Sequence, residues 1–225
     1  MRLTTGVTAA LAFAWAVLMI KLFSYPPHPR FHHNIDSPVV AIELASTPKE
    51  AQDVLRNASE ISAIHLNTAL DLIFIPLYAG YLLIAALFFG AKTRKAKVAV
   101  LLLVATVAAA DYAEDYYMFQ NLHASTPHQF IPSLVKWIAF AIMLAIVGLA
   151  MLQPRPPLRP ALVQRILAIA HLVAAASILL GLLFGRWIAL GYRPVEAGGG
   201  LFGVVLALNA IWLLLQRNQR AAMPA

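Results

Sequence analysis

An aspartate at 71, the trio Asp111, Glu114 and Asp115, and a lysine at 136 stand inside long apolar runs, where ionisable groups are costly to place and mark function by default. Asn67, Asp71 and Tyr78 follow one another at steps of four and seven; Asp111 is followed by Glu114, Asp115 and Met118 at offsets of three, four and seven. On a helix each set forms one stripe. Carboxyls gathered in an apolar setting suit two kinds of chemistry, ligation of a divalent metal ion and transfer of protons. A lysine beside them can orient a substrate carboxylate or stabilise developing negative charge. Asp71, Asp111, Glu114, Asp115 and Lys136 are therefore the candidate catalytic set, with the four acids as candidate metal ligands. Asn67, Tyr78 and Asn209 are candidate substrate-binding groups.

The elements that position these residues follow from composition. Of 225 residues, 61% are hydrophobic and 12% charged, with a mean hydropathy of +0.74. Soluble domains carry about 25% charge, so this chain has too little polar surface to cover itself in water. The expected class is all-α: a polytopic membrane protein of one transmembrane domain, residues 1–225. Six stretches can each supply the roughly 20 residues that a helix needs to cross a bilayer, at about 6–24, 63–90, 98–122, 131–152, 163–185 and 201–216. The absence of cysteine excludes disulfides, thiolate metal sites and cysteine nucleophiles.

Charge assigns an orientation. Arg2, the 91–97 connection (Lys92, Arg94, Lys95, Lys97), the proline-rich 153–160 connection (Arg155, Arg159) with Arg165 just beyond, and the tail (Arg217, Arg220) hold ten basic residues and no acid. The positive-inside rule then places both termini in the cytoplasm, and no nucleic-acid partner is implied by the basic pI. The apolar run after Met1-Arg2 lacks a small-x-small cleavage site, so it reads as a retained signal-anchor helix. The long connection 25–62 faces outward. Within it Thr47-Pro48-Lys49-Glu50 is a helix-start signal, and Ala51, Val54, Leu55 and Ala58 continue at helical spacing as a surface helix or lid. Gly198-Gly199-Gly200 reads as a flexible turn before the last span.

At about 1.5 Å per residue, Asp71 and Asp115 come to lie about 10 Å below the outer surface, Lys136 roughly 8 Å and Asn209 about 12 Å, so that four helices feed one polar layer. Four acids against one lysine leave three negative charges if all ionise. A low-dielectric bundle resolves such an excess by retaining protons, binding a cation or admitting water. A purely structural ion pair between Lys136 and Glu114 or Asp115 is the plain alternative.

Other polar groups carry weaker signals. His28, His32, His33, His65, His123 and His128 are expected at the outer face; His32-His33 with His28 and Asp36 is a candidate zinc or copper site. His171, alone on its span, reads as a hydrogen-bonded core residue rather than a ligand, since a paired-histidine haem site would need a second histidine at its depth and none is visible. Tyr112, Tyr116 and Tyr117, like Tyr78, are near enough to the acids to donate hydrogen bonds. Glu-x-x-His, His-Glu-x-x-His and Gly-x-Ser-x-Gly are absent.

The pattern Leu70-Asp71-x-x-Phe74-Ile75-x-x-Tyr78, Asp111-x-x-Glu114-Asp115 and Lys136-Trp137, with Glu43-Leu44-Ala45-Ser46-Thr47-Pro48 before it, resembles a group of small uncharacterised bacterial multi-pass membrane proteins over roughly residues 40–150. Many of its members carry Asn at the position of Asp115. The resemblance implies that Asp71, Glu114 and Lys136 act as one unit, and it implies no activity.

The leading expectation is an inner-membrane enzyme with an outward-opening polar cavity. It would act on a lipid or other apolar small molecule by acid/base or metal-assisted chemistry, with a divalent metal ion as candidate cofactor. The alternatives are a proton- or cation-coupled carrier and a non-catalytic subunit or assembly factor of a membrane complex.

Overall fold

The computed structural model describes residues 2–121, 128–153 and 161–221. Its six long helices are α1 (Arg2–Leu22), α4 (Ala58–Phe89), α5 (Arg94–Asn121), α6 (Phe130–Leu152), α7 (Ala161–Phe184) and α8 (Arg193–Ala221), each long and apolar enough to cross a membrane. Two short helices, α2 (Pro38–Glu43) and α3 (Pro48–Val54), lie between α1 and α4, and no strand occurs among the described residues. The expected all-α polytopic membrane architecture is the one observed. His123, Arg155 and Arg159 fall outside the described residues.

The long helices pack as a ring in the order α1, α4, α5, α6, α7, α8 and back to α1, with α4 also touching α6 across the middle. That cross-contact divides the bundle into an α4–α5–α6 triangle and a larger half walled by α1, α4, α6, α7 and α8. The core is continuous through both halves, from Ile75 and Leu82 through Met143 and Leu144 to Ile178 and Leu206, all fully buried.

Two spans begin earlier than hydropathy suggests. Helix α4 starts at Ala58 because Asn57 accepts the backbone N–H groups of Ser59 and Glu60, an N-cap placed before the apolar run begins. Helix α8 starts at Arg193, so Gly198, Gly199 and Gly200 are helical and the expected flexible turn is corrected. Close packing explains one of these glycines: a Cβ on Gly198 would stand 2.5 Å from Ile178 and 2.8 Å from the Ala174 carbonyl.

Within α4, Pro76 lacks an N–H and so leaves the Leu72 carbonyl without its helical partner. The Tyr112 hydroxyl of α5 donates to that oxygen at 3.3 Å. A backbone group that lipid could not satisfy is thereby met by a neighbouring helix, one turn from Asp71.

Residues 23–57 form a cap on one end of the bundle. The Thr47 capping box and the N-terminal proline of α3 are present as read from sequence, and α3 ends at Val54 rather than running on to Ala58. Ser37 with Pro38 makes the same kind of start for α2, whose helix the sequence reading missed. The cap is sewn to the α7–α8 connection: Tyr192 N–H donates to His33 O (3.0 Å), Asn34 donates to Ala189 O (2.6 Å), and Arg193 pairs with Asp36 (3.1 Å). Gly191 has φ +59°, and a Cβ there would stand 1.7 Å from the His33 carbonyl, so only glycine fits. Gln129, ahead of α6, donates to Ile42 O (2.9 Å) and ties the α5–α6 connection to the same cap.

Candidate functional site: a carboxyl cage and an apolar cavity

Beneath the cap, four helices converge on Lys136. Its ammonium lies 2.7 Å from Glu114 Oε1 of α5, 3.1 Å from Asp111 Oδ1 one turn earlier on the same stripe, and 3.0 Å from Glu43 Oε1 of α2. Tyr78 of α4 donates its hydroxyl to Asp111 Oδ2, and the Trp137 indole donates to Glu43 Oε2 at 2.8 Å. Lys136, Glu43, Asp111 and Glu114 are all buried. The expected union of α4, α5 and α6 polar stripes is present, and it has a fourth contributor that sequence reading overlooked. Glu43 is the lone acid in the apolar run Val39–Ala45, and the Ser37-Pro38 helix start was the signal that could have revealed its burial.

An ammonium has three N–H donors. Lys136 gives one to Glu114 and is ion-paired with Asp111 and Glu43 besides, so the expected role of orienting a substrate carboxylate or stabilising developing negative charge is corrected: its charge is already met by three carboxylates. The metal reading is corrected on the same geometry. Among the described residues no three His, Asp or Glu side chains are grouped to hold a metal ion; Asp71, Asp111, Glu114 and Asp115 surround, or face away from, an ammonium that already takes the cation's place. The excess charge is larger than the sequence reading reckoned, five carboxyls with Glu43 included against one lysine.

The acids are not equivalent. Asp115 is fully buried, neither of its carboxyl oxygens has a hydrogen-bond partner, and it forms no part of the cavity wall. Asp71 is half-buried, makes no hydrogen bond to a described residue, and faces a cavity of ≈ 430 Å³. Asn67, Tyr78, Asp111 and Lys136 share its polar end, while α1, α6 and α8 supply an apolar body that includes Met19, Phe140 and Leu206. The room comes from glycine: a Cβ on Gly200 or Gly203 would meet nothing within 4 Å, and one on Gly199 would only graze Trp137 at 3.4 Å. The Gly199-x-x-x-Gly203 spacing, with Gly200 between, was the available sequence signal for this wall.

Asn209 does not join this layer. It donates to the Tyr81 hydroxyl at 2.9 Å, Tyr81 meets His171 Nε2 at 3.1 Å, and His171 Nδ1 lies 2.7 Å from Leu167 O. The expected substrate-binding role of Asn209 is thus corrected to membership of a second, buried network, and His171 is the hydrogen-bonded core residue expected of it. Phe140 and Phe202 pack edge to face (4.9 Å) between Tyr78 and Tyr81, separating the two networks.

The remaining tyrosines and the histidines are dispersed. Tyr112 serves the Leu72 carbonyl rather than an acid; Tyr116 and Tyr117 are exposed and pack on each other. His28 stacks on Phe31 at 4.0 Å, His33 meets Glu50 at 3.1 Å, and Asp36 pairs with Arg30 and Arg193, so the candidate zinc or copper site does not form. His65 packs its ring against Phe119. In the cap, burial holds the His32 imidazole below its ordinary range. Burial also pushes at the Glu50 carboxyl, but hydrogen bonds from Ser46 and the nearby histidines outweigh it and hold that group at about 2.

No protein family, curated protein or solved structure matches the chain. Any functional reading therefore stands on this geometry.

Proposed function

We propose that the protein is a bacterial inner-membrane enzyme acting on a lipid or other apolar small molecule by acid/base chemistry, with Asp71 as the proton-transferring group. Both termini would lie in the cytoplasm and the cap outside, as the basic connections favour. The observation that carries the reading is the cavity: mostly apolar, large enough for one small molecule, and ending on a carboxyl that structural hydrogen bonds leave free. Asp111, held by Tyr78 and Lys136, acts as a positioning residue that keeps negative charge beside Asp71. The cap is latched over the polar end through Glu43 to Lys136 and Trp137.

The test is mass spectrometry of the lipid fraction after the purified protein is reconstituted in vesicles of bacterial lipid extract, wild type beside Asp71→Asn. One species should fall and a product rise with wild type alone. Identical lipid profiles for both proteins would remove the enzyme reading. One observation favours a proton-coupled carrier as the second reading: the Tyr81–His171–Asn209 network continues polar groups past the cavity floor. Under that reading the same vesicles acidify with wild type while their lipids stay unchanged.

A further inference from the structure

We infer that the cavity takes an amphiphile whose head is a protonated amine, seated against Asp71, with its hydrocarbon body along the glycine face of α8. The inference rests on reading the cavity as the place of the substrate, and it adds the sign and chemistry of the ligand.

The first argument counts donors and acceptors at the polar end. Lys136 hydrogen-bonds Glu114 and lies within ion-pair distance of Glu43 and Asp111, and Tyr78 gives its hydroxyl hydrogen to Asp111. What remains toward the cavity is chiefly acceptor: both oxygens of Asp71 and the lone pairs of the Tyr78 oxygen. Asn67 alone among these offers N–H donors. A carboxylate or phosphate head would be buried beside carboxyls, with the one ammonium already paired to three of them, and an unpaired buried ion is strongly disfavoured.

The second argument is charge. Lys136 is the one basic residue in the wall, against Glu43, Asp71 and Asp111, with Glu114 behind them. A cationic head moves this site toward neutrality, one of the three ways a buried acidic excess can be relieved. The third argument is the rest of the wall. Phe74, Tyr78, Trp137, Phe140 and Phe202 surround the head region, and aromatic faces attract ammonium groups. Beyond them Gly199, Gly200 and Gly203 leave a smooth slot for a hydrocarbon chain. A volume of ≈ 430 Å³ holds a head and a short length of chain, not an entire two-chain phospholipid.

The experiment measures binding of dodecylamine, dodecanoic acid and dodecanol to the protein in phosphatidylcholine nanodiscs, at equal mole fraction, by calorimetry. The amine should bind at least about tenfold more tightly than the acid of the same length, equivalent to ~1.4 kcal/mol. Asp71→Asn should reduce that preference to within about twofold, and Gly203→Leu, which fills the slot without a backbone clash, should abolish binding of all three probes. Equal or tighter binding of the acid, or an amine preference that survives Asp71→Asn, overturns the inference while Gly203→Leu sensitivity leaves the cavity reading intact. If wild type and Gly203→Leu bind the probes alike, the cavity reading falls with it. Replacing phosphatidylcholine by phosphatidylethanolamine separates the two sources of such a head: competition against dodecylamine indicates an aminolipid, and its absence a free long-chain amine.

Discussion

Helix α4 carries two polar networks three residues apart, and they solve burial in opposite ways. On the Tyr81 side, Asn209, Tyr81 and His171 are neutral groups from three helices joined by hydrogen bonds in a buried core, with one unpartnered oxygen, Asn209 Oδ1. On the Tyr78 side, five carboxyls crowd one ammonium, three of them (Asp111, Glu114 and Asp115) have buried oxygens without a hydrogen bond, and Asp71 opens onto a cavity. A neutral network adds specificity at small expense, whereas surplus buried charge is expensive and has no structural purpose that neutral groups could not serve. The difference marks the Tyr78 side as the one shaped by function.

Mutations can break this contrast. The largest effect is expected for Lys136→Met, which strands Glu43, Asp111 and Glu114 without a cation. Removing one partner of a buried pair costs about 3–5 kcal/mol, so the melting temperature in detergent should fall steeply and recover in part when Glu114→Gln is added. An unchanged melting point would mean that the carboxyls do not depend on Lys136.

Tyr81→Phe should cost less, about 1–3 kcal/mol, because it leaves the Asn209 amide and His171 Nε2 unmet while removing no charge. Lipid turnover and probe binding should be unaffected; altered turnover would join the second network to the site.

Asp115→Asn sharpens the comparison within the cage. Its carboxyl is buried with no hydrogen bond, so neutralising it should leave the melting temperature unchanged or raise it. A loss as large as that of Tyr81→Phe would show that the carboxylate is held by charge alone.

The smallest effect concerns the cap. His32 is held below 6.5 by burial, against the opposing pull of Glu50 and Asp53, while His33 and Arg186 push the same way as burial. A released cap therefore takes up a proton more readily than the closed one. Closure is fully favoured above pH 6.5 and weakens as pH falls below it. Glu50, held at about 2 against 4.5, adds a second loss as pH falls from 4.5 toward 2. Hydrogen exchange of residues 25–57 should accelerate on acidification before that of the α4–α6 core does, and uniform acceleration would show no separate cap.

Single helices were legible because their determinants are local. Apolar run length located all six long helices, and the capping box of α3 was readable from four residues. Stripe periodicity likewise brought Asp111 and Glu114 to one face and turned that face toward Lys136. The limits of that reading are equally physical. Hydropathy averages over a window, so it could not see that Asn57 starts α4 before the apolar run, or that α8 begins ahead of its three glycines, with Gly198 packed closely on α7. Depth counting placed Asn209 in the acid layer, since it treats helices as upright rods and cannot register the rotation that turns Asn209 toward Tyr81.

What the amino-acid sequence determined by itself is the class of molecule and the facts that follow from burial cost: six apolar helices, a basic set of connections, and an acidic excess that must be answered inside them. Tertiary structure decided the answer. It brought Glu43 from a distant cap onto Lys136, paired the lysine with three carboxylates, and left Asp71 facing open space beside a glycine wall. Those outcomes depend on which acids surround the ammonium and which faces lack a Cβ, and such relations arise only when segments far apart in the chain meet.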